Sequence, residues 1–350
     1  MANNETLGVG AVERLIARTD YLEAFINKND KEPSWDGYIY AYHNTGSHPK
    51  SDMVGRISVQ VKGHSCKSVE KARKSFSVDM YDIRDYLQEG GTLFFVVYIT
   101  EETEVVYYES LLPYELRRII RDYGKQNSYA VKLKKFPTDK TEIADLILNF
   151  VRDRDKQRTA ISSEIVTINQ LNEQGLLKTL SFGFTTVGEK YLNPIDYCLT
   201  HDIYLYADLP MGISMPVHHI ENIEMAESEI KNEISINGKV FYKGYKCIYK
   251  RDKIEFHFGR SNILYFFKEE DKCEWCFNLR GTISERIRDE EFMIAAIKSK
   301  GVKFGDIFIP LVDFPADENE KFNIPDCERN LEFLKRAKAV LDLMNVTTEL

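Results

Sequence analysis

No stretch of about 18 consecutive apolar residues occurs in the 350-residue chain, which excludes a hydrophobic transmembrane helix. The opening MANNETLGVG lacks the basic-then-apolar pattern of a secretory leader. Cysteines number only six, too few for a disulfide scaffold in a chain of this length, and the expected compartment is a reducing cytoplasm. A surplus of positive charge is also missing. The net charge of −8 argues against a surface that wraps nucleic acid indiscriminately. There is no P-loop, no GxGxxG and no GxSxG, so the commonest nucleotide and hydrolase signatures are absent. Internal repeats and low-complexity tracts are absent too.

What is present exceeds one typical core, and the pattern changes near residue 156. AVERLIARTDYLEAFINK reads as an amphipathic helix, and GYIYAYH and GRISVQVKG as two strands close enough to form a hairpin. VDMYDIRDYLQEGG reads as a helix stopped by glycines, TLFFVVYIT as a strand buried on both faces, and EVVYYES as its neighbour. LLPYELRRIIRDYG, SYAVKLKKF and TEIADLILNFVRD continue as helix, strand and helix. This order implies an α/β sandwich with mixed strand directions over residues 1–155. Residues 156–350 alternate short strand-like runs with Gly, Asn and Asp, then end in two helices, which implies a β-rich second domain.

Charge is unevenly spread. Residues 111–140 carry eight basic side chains against three acidic, and residues 50–75 carry seven against two. Arg117, Arg118, Arg121, Lys132 and Lys134 are therefore candidates for holding a phosphate backbone. The plain alternative is a solvated face.

The pattern that carries chemistry is Asp36 at the mouth of one strand and Gln60-x-Lys62 on alternate positions of the next. Period two puts Gln60 and Lys62 on one face. A hard cation, Mg²⁺ or Mn²⁺, takes oxygen ligands. Asp36 could supply a carboxylate, Gln60 an amide oxygen and Val61 a backbone carbonyl. Lys62 could then hold an attacking water and neutralise charge on a phosphorane. Asp36 also reads as a turn residue, and Gln60 and Lys62 as a solvent-facing strand edge.

The segments NDKEPSWDGYIYAY, GRISVQVKG, FSVDMYDIRDYLQEGGTLFFVVYIT and VVYYESLLPYEL, in that order, resemble a bacterial branch of the PD-(D/E)xK restriction-endonuclease-like superfamily catalogued as a domain of unknown function. The likeness runs over roughly residues 10–155. It implies a nuclease-like mixed sheet flanked by helices, with Asp36 as the metal-binding acid, Gln60 in the place usually held by Asp or Glu, and Lys62 as the motif lysine. It also implies a helix-borne acid, for which Glu13 is the candidate and Glu23 the reserve. A metal-dependent endonuclease acting on DNA or RNA follows as the expectation. The family context is bacterial antiviral defence, with a protein partner or small-molecule trigger acting at the second domain and a homo-oligomer as a further expectation. Gln60 departs from the pattern because an amide brings no negative charge to a metal. A catalytically degenerate binding or scaffold protein is therefore the rival expectation.

Other motifs point less far. Cys273 and Cys276 form a lone CxxC without the second pair that a zinc site needs. His218, His219 and His64 read as structural or surface residues.

Overall fold

A computed structural model describes residues 4–28, 34–161, 164–188, 194–221, 223–270, 272–310 and 323–346. The chain divides into two compact units, residues 1–190 with 202–221 and residues 191–201 with 222–350. Both mix helices and sheets, so the coarse class is α+β.

The first unit opens with α1 (Asn4–Ile16), whose end is tied by the Thr19 hydroxyl donating to the Ile16 carbonyl at 3.0 Å. The chain then turns into β1 (Leu22–Ile26). The helix expected over 11–28 is thus too long. Leu22–Ile26 is a strand because its backbone pairs antiparallel with β2 (Gly37–Tyr42), a tertiary contact that outweighs helical periodicity. The remaining elements are β3 (Met53–Ser65), β4 (Ser75–Asp79), α2 (Met80–Glu89), β5 (Thr92–Ile99), β6 (Glu104–Leu111), α3 (Pro113–Tyr123), β7 (Ser128–Lys132), β8 (Lys134–Lys135), α4 (Lys140–Lys156) and α5 (Ile168–Glu173). β9 (Thr179–Ser181), β10 (Ile203–Asp208) and β11 (Ser214–Ile220) complete the unit.

Six strands form a sheet in the order β1-β2-β3-β5-β6-β8. β3 and β5 run parallel, and the other neighbours are antiparallel. A parallel pair needs a crossover, which β4 and α2 provide. Asp79 caps α2 by accepting from the Tyr81 amide at 2.8 Å, and Gly90 ends it in the left-handed region at φ 92°. All eight residues of β5 are buried, as its unbroken apolar run implies. Its alternate residues serve two cores. Phe95 and Val97 pack with Val9 and Val12 of α1 and with Ile147 of α4. Phe94, Val96 and Tyr98 pack with Ile83 and Tyr86 of α2 and Ile119 of α3.

The first unit continues beyond the boundary expected at residue 155. β9, β10 and β11 form a small antiparallel sheet, and Tyr204 and Tyr206 of β10 fill the α1/α4 core. The Tyr206 hydroxyl donates to Asp153 Oδ1 at 2.9 Å, and the Tyr114 hydroxyl donates to the Val217 carbonyl at 3.0 Å.

In the second unit, β12 (Met225–Ile230), β15 (Tyr245–Lys250), β16 (Lys253–Phe258), β17 (Asn262–Phe267) and β18 (Lys272–Phe277) form an antiparallel sheet. β13 (Ile234–Ile236), β14 (Lys239–Tyr242), β19 (Gly301–Phe304) and β20 (Ile307–Pro310) form a second sheet. With α6 (Pro194–Thr200), α7 (Ile283–Ser299) and α8 (Ile324–Leu343), this unit combines strands and helices. Its core gathers Phe241, Tyr242, Phe258, Trp275 and Phe292. Thr282 and Glu285 start α7 with a reciprocal capping box. Among the described residues, no helix is long and apolar enough to cross a membrane.

Candidate active site

Asp36 stands one residue before β2, and only 8 % of it is exposed. Its amide donates to the Val59 carbonyl at 2.8 Å, which makes it the last rung between β2 and β3. Gly37 allows β1 to close in on this point: at φ 154°, an added Cβ would lie 2.2 Å from the Phe25 carbonyl oxygen. The Asp36 side chain therefore reaches past the ladder onto β3. Its Oδ2 accepts from the Val61 amide at 2.6 Å and from Gln60 Nε2 at 2.7 Å. The Tyr86 hydroxyl of α2 donates to Gln60 Oε1 at 3.4 Å. Burial pushes the Asp36 carboxyl above its ordinary range. The Val61 amide, the Lys62 charge and the Gln60 amide pull it back only in part, and the Glu5 charge adds to the rise.

Lys62 shares a strand face with buried Gln60 and is itself exposed. His64, two residues on, meets the Tyr98 ring edge-on at 5.8 Å.

The acid that α1 brings near Asp36 is Glu5. The start of the helix presses on β3 at Gly63, where an added Cβ would lie 1.9 Å from the Asn4 carbonyl oxygen. The Ser65 hydroxyl donates to Asn4 Oδ1 at 2.8 Å and pins the same contact. Glu13 is eight residues further along, about 12 Å at 1.5 Å per residue. It pairs with Lys28 at 3.2 Å. Glu23 lies on β1 and accepts from the Tyr42 hydroxyl at 3.0 Å, with His48 Nδ1 at 2.9 Å. The structure brings neither Glu13 nor Glu23 to Asp36. The signal for Glu5 was glycine: Gly8 in the helix and Gly63 after the lysine both mark close backbone approach.

α2 adds two more acids at the mouth of the site. The Ser34 hydroxyl lies 2.9 Å from Asp82 Oδ1 and 2.8 Å from Asp85 Oδ2. Burial first, then the charges of Asp82, Asp36 and Asp85, push the Tyr86 phenol far above its usual range. Among the described residues, no three His, Cys, Asp or Glu side chains gather as a metal-binding group. The donors present are oxygens of the kind Mg²⁺ and Mn²⁺ accept. They are the Asp36 carboxylate and the Val61 carbonyl, which points to the same side of the strand as the Val61 amide. Gln60 turns its N–H to Asp36, so its oxygen joins this set only after the amide turns over.

The basic residues expected to hold phosphate fare differently. Arg117 donates to the Ala160 carbonyl at 3.2 Å and to that of Ile161. Arg118 pairs with Glu115 and Arg121 with Asp122, the latter at 2.7 Å. Lys134 pairs with Asp202. All four are drawn to internal partners: Arg118 and Arg121 to acids of their own helix, Arg117 to two backbone carbonyls, and Lys134 to an acid beside β10. Lys132 is exposed on the β4–β7 ribbon, opposite Ser75 and beside Lys74 and Arg73. That ribbon packs Phe76 against Phe94, on the sheet face that carries Gln60 and Lys62.

Sequence reasoning missed the cluster that Lys134 joins. His219 stacks on Tyr204 at 4.3 Å and faces Glu115 at 3.9 Å, Asp202 at 3.8 Å and Glu221 at 3.7 Å. Burial pushes the neighbouring Glu109 carboxyl up to about 7, with Lys134 opposing. Burial also pushes Glu115 up, but His219 and Arg118 more than reverse this and hold it at about 2. On β18, three residues of separation put Cys273 and Cys276 on opposite strand faces, so the CxxC does not form a chelating pair.

No protein-family model, curated protein or solved structure matches this chain.

Proposed function

We propose that the first unit is a divalent-cation-dependent nuclease that hydrolyses phosphodiester bonds of DNA or RNA on a PD-(D/E)xK-like core. One observation carries this reading: a buried carboxylate, Asp36, is held against Gln60 and Val61 while Lys62 emerges from the same strand face two residues on. Asp36 and the Val61 carbonyl would hold Mg²⁺ or Mn²⁺, joined by Gln60 once its amide turns. The bound ion supplies Lewis acidity and lowers the pKa of water. Lys62 orients the attacking water and offsets charge that develops on the phosphate oxygens. Glu5 raises the negative field at the site. Arg73, Lys74 and Lys132 supply positive charge along the ribbon for the sugar–phosphate backbone.

A second reading, a nuclease-like binding or scaffold protein without catalysis, is favoured by a specific contact. Gln60 gives Asp36 an N–H where a metal would want an oxygen, and Tyr86 holds the amide from its other end. Cleavage of labelled plasmid, single-stranded DNA and RNA separates the two, in Mg²⁺, Mn²⁺ or EDTA. Metal-dependent cutting by the wild type that disappears in Asp36→Ala and Lys62→Ala supports the nuclease. Inactivity together with no Mn²⁺ bound in a titration supports the scaffold.

A further inference from the structure

One face of the six-stranded sheet is covered only in part. Leu22 and Ile26 of β1 and Ile39 and Ala41 of β2 point into the core shared with α1 and α4. By alternation, Phe25, Tyr38 and Tyr40 point the other way, onto the face that carries Gln60 and Lys62. Over β5 and the middle of β3, that face is covered by α2 and α3. Over β1 and β2 it meets water. Phe25 is 59 % exposed, Tyr38 and Tyr40 are half-buried, and Arg56 and Lys62 are exposed.

Register gathers these side chains into one patch. Phe25 stands opposite Tyr38, and Tyr40 opposite Arg56. The Phe25 and Tyr40 rings meet edge to face at 5.2 Å, and the Arg56 guanidinium lies 4.4 Å from the centre of the Tyr38 ring. Asp36 precedes Tyr38 by two residues on the same side of the chain, about 7 Å away at about 3.4 Å per residue. The patch therefore begins where the proposed cut is made. Its far end is closed by Glu23, which stands opposite Tyr40 and is held by the Tyr42 hydroxyl and by His48.

The chemistry of the patch selects its occupant. Glu23, Asp82 and Asp85 border it in a chain of net charge −8, so a polyanion held by charge alone would be held weakly. Rings beside a guanidinium instead suit a planar group attached to phosphate, stacked on the rings while the cations meet the anion. In a duplex the base faces are covered by their neighbours, whereas an unpaired base can turn its face to a protein ring. We propose that the substrate is a single-stranded nucleic acid. Its bases next to the cleaved phosphate stack on Phe25, Tyr38 and Tyr40, and its backbone meets Arg56 and Lys62. The placing of the cut at Asp36 rests on the nuclease reading, and the stacking of the strand on β1 and β2 does not.

The test is fluorescence anisotropy of labelled oligonucleotides with the full chain in EDTA, so that no strand is cut. The probes are single-stranded DNA, RNA of the same sequence, the duplex, and an abasic strand of the same length. A single strand should bind about tenfold or more tighter than the duplex or the abasic strand, and the tighter of DNA and RNA names the substrate. Phe25→Leu and Tyr38→Leu should each weaken that binding by about tenfold, while Phe25→Tyr, which keeps a ring, should retain it. Melting temperatures would confirm that exposed Phe25 is replaced without loss of fold. Equal affinity for the abasic strand would overturn the proposal, as would an unchanged affinity in Phe25→Leu. So would self-association in sedimentation velocity that Phe25→Leu abolishes, which would give the face to a second copy of the chain. Base-dependent binding without metal-dependent cleavage would remove the nuclease and keep the strand on this face. Cleavage of duplex without base-dependent binding would do the reverse.

Discussion

Asp36 is held by two donors on one oxygen, and its chemistry depends on what surrounds it. If the proposed nuclease operates, Asp36→Ala and Lys62→Ala should each cut the Mn²⁺-dependent rate by about a hundredfold or more, the usual worth of a positioned acid–base or electrostatic group. Glu5→Gln should cost about tenfold, and Glu13→Gln, at a side chain that pairs with Lys28, should leave the rate unchanged. Asp36, Gln60 and Lys62 were legible because strand periodicity is local. The nearness of Glu5 to Asp36 was not, since it depends on where a helix end meets a distant strand. The basic cluster was misleading for the opposite reason: a count of charges along the chain does not reveal that Arg118 and Lys134 turn to Glu115 and Asp202. The half-buried Glu109 gives a stability prediction of definite sign. Its folded pKa of about 7 lies above the unfolded value, so the folded state retains a proton that the unfolded state has lost. The contribution of this group to stability therefore falls as pH rises from about 4.5 towards 7. Glu109→Gln should be more stable than wild type at pH 8, on the order of 2 kcal/mol, and about equal at pH 4.5, in denaturant titrations at the two pH values.

At the scale of elements, α1 is seated by Gly63. Gly63→Ala should lower stability by about 1–3 kcal/mol, because the Asn4 carbonyl that blocks the new Cβ is backbone and moves only with the helix. The same change should reduce cleavage about as much as Glu5→Gln, since it shifts the end of the helix that carries Glu5. Thermal melts and initial rates on one preparation would check both. In the second unit, Thr282→Ala should cost about 1 kcal/mol by breaking the capping box of α7, read as a lower melting temperature. The elements themselves differ in how openly the sequence declares them. β5 is a continuous apolar run, and α2 has an Asp cap and a glycine stop, so both read directly. SYAVKLKKF reads as one strand yet divides into β7 and β8 in different sheets. The division follows pairing with β4 on one side and β6 on the other, and neither partner is adjacent in sequence.

At the scale of the molecule, the change in sequence texture near residue 156 is not where the first unit ends. Tyr206 is 1 % exposed and lies in the same core as Val9 and Phe95. A chain stopped after residue 155 would lack it and would leave buried Asp153 without that hydroxyl donor. Such a fragment should melt without a cooperative transition by circular dichroism, whereas a chain stopped after residue 221 should retain one. The polypeptide passes from one unit to the other three times, after residues 190, 201 and 221. Modular proteins usually exchange parts by a single crossover between end-to-end domains, but here one break always leaves a piece of one unit attached to the other. The two units are therefore bound to be inherited together. A lineage that changes its second unit does so by point substitution or by two matched exchanges, and a chimera joined at a single residue mixes two parents within at least one unit.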